Sequence, residues 1–389
     1  MGTYINIGSA GFQSARNSEY VDKSGLIAVV NATLNTERRF TCVTRSRRFG
    51  KSMAARMLNA YYDQSCDSRN LFADLEIVKD SSFEEHLNKY PVIFLDMTAF
   101  VTRFHDEKIV DQIENELIAD IKDAYPDVSI NGSGNLMDCL INIVSATQQP
   151  VIFIIDEWDA ICREFKPESA AMDRYVNWLR RMFKDVNASR VFAGVYMTGI
   201  LPIKKYKTES ALNNFTEYSM VKPARMAGYF GFTKEETKVL AQKHGMDFDE
   251  LEKWYDGYQI GDQLSIFNPN SVMRALYSGY CTNYWGCTAA YDTIHAYLSD
   301  GDKGLKKAME LLVKGEIYSV DLYDASRDIR SMSSISEILS VLVHLGFLTY
   351  DKNKKCCFIP NTDVLSISDC MLKDYTKHNI PSFGINSIY

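Results

Sequence analysis

The residues with the most chemistry to offer are a cationic run around one glycine: Arg45-Ser46-Arg47-Arg48-Phe49-Gly50-Lys51-Ser52. The stretch Phe40 to Thr44 before it reads as a strand, and the chain from Met53 onward reads as a helix. A loop in that setting is the context of a Walker A site, where backbone N–H groups of the loop and the helix N-terminus cradle phosphate oxygens. Lys51 would reach the β and γ phosphates of a nucleotide as a point charge, and Ser52 would ligate Mg²⁺ through its hydroxyl. The standard pattern opens with a glycine that eases a tight turn. Here that position is Arg45, a departure that touches the geometry of the loop more than the roles of Lys51 and Ser52. The three arginines add positive charge near phosphate or bind acids on neighbouring elements. Lys51 is expected to be a solvent-facing charge whose removal leaves the fold intact.

A second constellation lies about one hundred residues further on, in Val151-Ile152-Phe153-Ile154-Ile155-Asp156-Glu157. An apolar strand ending in Asp-Glu is the Walker B pattern. Asp156 would hold Mg²⁺ through water, and Glu157 would polarise the attacking water as general base. Strand C-termini are where ligands bind in open α/β sheets. Asp159 either supports the metal shell or caps the next helix. Thr198 either senses the γ phosphate or the water, or simply finishes a strand, a place Thr favours.

Positioning these residues takes a sheet covered by helices, and the first ~225 residues alternate accordingly. Strands are expected at Arg39 to Thr44, Pro91 to Met97, Pro150 to Ile155 and Arg190 to Thr198. Continuous apolar runs such as Val92 to Leu95 mark strands buried on both faces. Helices are expected at Ser52 to Tyr62, Asp106 to Ala124, Leu136 to Thr147 and Ala170 to Val186, with a turn at Asn131 to Gly134. From about Met226 helices should dominate, beginning at a capping box of Thr233 and Glu236. Ser334 to Leu345 then reads as a helix, and Phe347 to Tyr350 and Cys356 to Ile359 as a hairpin, the outline of a winged helix.

The 389 residues carry 46% hydrophobic and 24% charged side chains, which excludes a mainly disordered or fibrous chain. At ~150 residues per domain the length suggests two to three domains. A net charge of −7 disfavours a footprint on nucleic acid across the whole chain, without excluding a local basic patch. No apolar run approaches the ~18 residues a membrane span needs. The start resembles neither a secretory signal nor a myristoylation site. The nine cysteines form no C-x-x-C pair, so reduced thiols and a cytoplasmic location are expected. No histidines stand at i, i+4, which argues against a helical His-based metal site.

Together these strings resemble the bacterial AAA-ATPase-like proteins, which commonly carry a PD-(D/E)XK nuclease-like domain at the C-terminus. The likeness extends beyond the two loops to Tyr20-Val21-Asp22-Lys23-Ser24, Asp156-Glu157-Trp158-Asp159, Thr198-Gly199-Ile200-Leu201-Pro202-Ile203, Ala211-Leu212-Asn213-Asn214-Phe215, Trp254-Tyr255-Asp256-Gly257-Tyr258, Phe267-Asn268-Pro269 and Asn283-Tyr284-Trp285. An Arg-Arg-Phe-Gly-Lys-Ser core without the leading glycine is characteristic of that family. The resemblance implies an α/β fold: an additional-strand, AAA-like P-loop ATPase core over 1–225, a helical lid over 226–315 and a winged-helix-like segment over 316–376, with a loose tail over 377–389. It also implies that Tyr20, Asp22 and Lys23 lead into the nucleotide site, joining Arg45 through Ser52 and Met53 as cofactor-binding candidates. The Glu-x-Lys pairs at Glu164 and Glu236 do not suit a nuclease site, so no nuclease activity is expected.

Arg180 and Arg181 suit an arginine finger or, more simply, a charged helix face. Arg225 suits a γ-phosphate sensor or a salt bridge. The Lys352 to Lys355 tip could touch DNA phosphate, but the helix beside it, whose titratable residues are Glu337 and His344, has no Arg, Asn or Gln, so packing is favoured over base readout. The expected function is Mg²⁺-dependent ATP binding and hydrolysis coupled to lid movement. The alternative is a nucleotide-binding switch with little turnover. Partners expected are ATP and a protein or a homo-oligomer; DNA is left open but not indicated, and no membrane is expected.

Overall fold

In the computed structural model the described residues are 2–129, 134–166, 169–203, 212–261, 264–285, 303–322 and 334–368. They form two units, one of residues up to Ser46 with Gly50–Phe230, the other of Arg47–Phe49 with the chain from Gly231.

The first unit is built on a parallel sheet of β1 (Phe40–Thr44), β2 (Val92–Asp96), β3 (Val151–Asp156), β4 (Phe192–Gly199) and β5 (Thr216–Tyr218). The strand order is β2-β3-β4-β1-β5. An additional strand, β4, thus separates the strand before the Gly-Lys-Ser loop from the strand before the Asp-Glu pair, and the α/β P-loop fold class expected from sequence is the one observed. β1, β3 and β4 are buried at every residue, the physical reason for their unbroken apolar runs. The edge of β2 is covered by the N-terminal segment. Asn6 N–H donates to the Val92 carbonyl at 2.8 Å, and Phe94 N–H to that of Tyr4 at 2.8 Å. The Asp120 carboxylate holds that segment by accepting the N–H groups of Thr3, Tyr4 and Ile5. An edge strand paired in this way offers no open ladder to another chain.

Several boundaries differ from expectation. β4 begins at Phe192, not Arg190, because Ala188–Val191 forms a helical turn closed by Val191 N–H on the Asn187 carbonyl. β2 stops at Asp96, whose carboxylate accepts the Thr98 and Ala99 amides and starts the helix Met97–Arg103. The helix Leu136–Thr147 has the expected bounds, while Ala170–Phe183 ends three residues early. Most of the expected turn at Asn131 to Gly134 lies outside the described residues, as do Ala211, Cys287, Cys370 and the tail 377–389. The cysteines that are described are free thiols.

The second unit opens with the helix Lys234–His244, and its Thr233/Glu236 capping box is present. Helices Phe248–Tyr255 and Pro269–Ser278 flank an antiparallel hairpin of β6 (Tyr258–Ile260) and β7 (Leu264–Ile266), a feature not expected in a stretch read as helical. Further on, β8 (Tyr318–Ser319), β9 (Thr349–Asp351) and β10 (Cys356–Phe358) form an antiparallel sheet of order β8-β10-β9. The helix Ile335–Leu345 precedes the β9–β10 hairpin and starts at a capping box of Ser334 and Glu337, giving a winged-helix-like arrangement. Asp363 accepts the amides of Tyr284 and Trp285, whose carbonyls accept the Arg48 guanidinium. The Phe49 ring lies edge-on to Tyr258 with centroids 5.0 Å apart, and its carbonyl accepts Gly231 N–H. No helix among the described residues is long and apolar enough to cross a membrane.

Gly199 closes β4 where a Cβ would stand 2.5 Å from Trp158 Nε1, inside a fully buried indole that has no room to retreat. Gly199→Ala should therefore lower stability by about 1–3 kcal/mol. Urea unfolding followed by tryptophan fluorescence will show whether it does.

Candidate functional site

All strands of the parallel sheet end on one side. Thr44 stands opposite Gly199, Ile155 opposite Met197 and Asp96 opposite Asp156. The loop after β1, the acids after β3 and Thr198 on β4 consequently share the C-terminal edge, where α/β sheets bind ligands.

The helix Lys51–Tyr62 starts at Gly50, whose φ of +91° lies in the left-handed region. Nothing lies within 4 Å of where its Cβ would stand, so the backbone angle and not crowding calls for glycine. No side chain caps this helix. Lys51 is only 4% exposed, contrary to the expectation of a solvent-facing charge. Its ammonium donates to the carbonyls of Arg45 at 3.0 Å and Ser46 at 3.2 Å, and lies 3.4 Å from Glu157 Oε1. Burial is tolerable because each of its three protons has an acceptor.

Asp156 and Glu157 are neighbours in sequence with opposite electrostatics. Burial pushes the Asp156 carboxyl above its ordinary range, against the hydrogen bonds it receives from Ser52 and Thr198. Burial pushes Glu157 the same way, but the charges of Lys51 and Arg163 outweigh it and leave that carboxyl below its ordinary range. Glu157 has φ +54°, uncommon for a residue with a Cβ. Its Oε2 accepts the Arg163 guanidinium at 2.7 Å.

Thr198 has a role that neither expectation named. Its hydroxyl donates to Asp156 Oδ1 at 2.5 Å and accepts the Glu157 N–H at 3.2 Å. Its carbonyl accepts Trp158 N–H at 2.8 Å. One side chain on β4 thus sets both acids. Asp159 is fully buried and precedes the helix Ala160–Glu164 without capping it by a side-chain bond. Its carboxylate instead crosses to β4's outgoing chain and accepts the amides of Ile200 at 3.1 Å and Leu201 at 3.2 Å.

The structure brings Lys51, Ser52, Asp156, Glu157 and Thr198 together. The other candidates are placed differently. The Arg45 guanidinium is buried and donates to the carbonyls of Thr44, Tyr218 and Met226. Burial lowers its pKa to about 10, so it keeps its charge at neutral pH, spent on backbone oxygens. Arg47 and Arg48 are exposed and Phe49 buried. Met53 is 39% exposed on the first helical turn. The Tyr20 hydroxyl meets Met57 Sδ at 3.3 Å; Asp22 accepts the amides of Ser24 and Glu76; Lys23 donates to the Gly228 carbonyl at 3.0 Å. Arg181 faces Glu114 at 3.5 Å on an exposed helix face, and Arg225 donates to the Tyr218 hydroxyl at 3.2 Å. Glu337 and His344 are buried, and Lys355 pairs with Asp321 at 2.8 Å. Sequence reasoning missed Arg163 altogether. The one available signal was its spacing on the short helix after the Asp-Glu pair, four residues beyond Asp159.

A hydroxyl and a buried carboxylate already hydrogen-bonded to each other suit Mg²⁺, which takes hard oxygen donors and is usually held by one or two carboxylates with substrate phosphates.

A family model described as a predicted AAA-ATPase (AAA-ATPase-like) matches residues 6–208, and the chain belongs to that family. An uncharacterized protein in the vnfD 5' region of Azotobacter chroococcum mcd 1 is 23% identical over 294 residues, covering 72% of this chain and 53% of that protein. The chain therefore spans about half the length of the curated relative it matches. Among solved structures, the Aeropyrum pernix ORC2 protein in ADPNP–ADP complexes is 10% identical with a TM-score of 0.41, covering 94% of this chain and 98% of that one. The Aeropyrum pernix ORC1 protein in complex with DNA is 13% identical with a TM-score of 0.28, covering 98% and 100%.

Thr198→Val keeps the shape of the side chain but leaves the Glu157 amide and the Asp156 carboxylate short of a partner. Stability should fall by about 1–3 kcal/mol, and Thr198→Ser should recover most of it. Chemical denaturation of both variants measures this.

Proposed function

We propose that the chain binds ATP with Mg²⁺ at this edge and hydrolyses it. The observation that supports the reading is the meeting of Lys51 with Glu157 at 3.4 Å, beside an Asp156 that receives the Ser52 hydroxyl. Lys51 is held by two carbonyls and a carboxylate, and phosphate oxygens are acceptors it can exchange them for. That exchange releases Glu157 Oε1 to take a proton from water, and the nearby cations keep the carboxylate charged for the task. Ser52 and, through water, Asp156 would hold the Mg²⁺, which neutralises charge on the β and γ phosphates when bound. Thr198 acts here by fixing both acids. The reading includes coupling of nucleotide state to movement of the lid (226–315) and of the winged segment (316–376). The recipient of that change is a partner protein or a second copy of the chain, in the cytoplasm where ATP is supplied.

A switch with little turnover is the second reading. It is favoured by the double pairing of Glu157, which ties the base to Lys51 and Arg163 at once.

Calorimetry with ATP and Mg²⁺, followed by phosphate release in the same sample, separates the two. Lys51→Ala should abolish binding. Glu157→Gln should bind while losing about 10²–10⁴-fold in release. Release by wild type alone supports hydrolysis; binding by both with release by neither leaves the switch. An unchanged dissociation constant in Lys51→Ala would sink the site assignment.

A further inference from the structure

Glu157 is gripped by two cations, one on each carboxylate oxygen: Lys51 Nζ at 3.4 Å from Oε1 and Arg163 at 2.7 Å from Oε2. The two cations differ in what they can give up. Lys51 belongs to the phosphate loop and has phosphate oxygens to exchange for its present partners. Arg163 lies on the short helix Ala160–Glu164 that follows β3, six residues beyond Glu157. It also stands 3.9 Å from the buried carboxylate of Asp159, which is anchored to the amides of Ile200 and Leu201. The guanidinium is thus set between two acids of one connected segment. The backbone of Glu157 needs such support, because its left-handed φ of +54° persists only where the surroundings hold it.

We propose that Arg163 is the positioning residue that holds the Glu157 carboxylate while Lys51 passes to phosphate, which rests on the ATP site argued above. With Arg163 present, Glu157 keeps a counter-charge when a triphosphate arrives. Without it, both carboxylate oxygens fall to Lys51 and tighten the pair that phosphate must break. An uncompensated carboxylate then also faces the anionic ligand. Both effects weaken nucleotide binding, and both require the charge on Glu157.

The test is calorimetric titration of the full chain with ATP and Mg²⁺. Arg163→Ala should weaken binding on the order of tenfold, the scale of coupling between contacting charged residues. Arg163→Lys, which keeps the charge, should bind nearly as wild type does. The double variant Arg163→Ala/Glu157→Gln should return to the affinity of Glu157→Gln alone, a rescue that a merely structural role would not give. Unchanged binding in Arg163→Ala overturns the proposal, as does a double variant that stays weak. If wild type itself binds no ATP, the site reading fails and this proposal falls with it. Wild-type binding without the rescue sinks this proposal alone.

Discussion

The candidate site at the C-terminal edge of the sheet depends on a strand that contributes neither of the two loop motifs. β4 lies between β1 and β3, so the Lys51 loop and the Asp-Glu pair start roughly 9–10 Å apart, two strand spacings. Something at the end of β4 has to tie the two sides together. Thr198 does so for the acids, with one hydroxyl engaging the Asp156 carboxylate and the Glu157 amide. Lys51 closes the remaining distance with its long side chain. Gly199 follows at once because the Trp158 indole leaves no room for a Cβ. The close approach of the chain after β3 to the end of β4 is therefore a condition for the acids to be placed at all.

Charge balance in this small volume follows from the same arrangement. Three acids, Asp156, Glu157 and Asp159, meet two cations, Lys51 and Arg163, of which Asp156, Asp159 and Lys51 are buried. Buried charges persist only when paired and hydrogen-bonded, and removing one partner leaves the other stranded. The acids share the load unevenly. Asp156 relies on hydroxyl donors and is pushed toward its neutral form by burial, while Glu157 sits between the cations and is pushed toward its charged form. Paired acids whose environments drive them apart suit the different tasks proposed for them, holding a metal's shell and moving a proton.

The frame of this site was legible because it rests on burial and local geometry. Val151 to Ile155 is a strand buried on both faces, and such a strand has no polar face to interrupt it. Thr233/Glu236 and the Leu136–Thr147 helix were likewise readable from caps and periodicity. What the sequence withheld depends on tertiary placement. β5, β6 and β7 have three residues each, too short to show a period. Lys51 looks exposed at a loop end until its carbonyl partners are known. Arg163 looks like any helix arginine until β3 ends two acids beside it.

Arg45 shows how the unusual loop works without its leading glycine. A left-handed backbone angle would favour glycine at this position, but Arg45 is not among the residues of positive φ. The left-handed angles fall later, at Arg48 with +70° and Gly50 with +91°. The start of the loop can thus carry a large side chain, and this chain uses it. The guanidinium reaches the carbonyls of Tyr218 at the end of β5 and Met226 beyond it, and packs over the Phe230 ring. It also bonds the carbonyl of Thr44, the last residue of β1. Meanwhile the Arg45 N–H donates to the Gly199 carbonyl, and its own carbonyl accepts Lys51. A residue where a freer turn would be expected becomes a rigid post joining β1, β4 and β5.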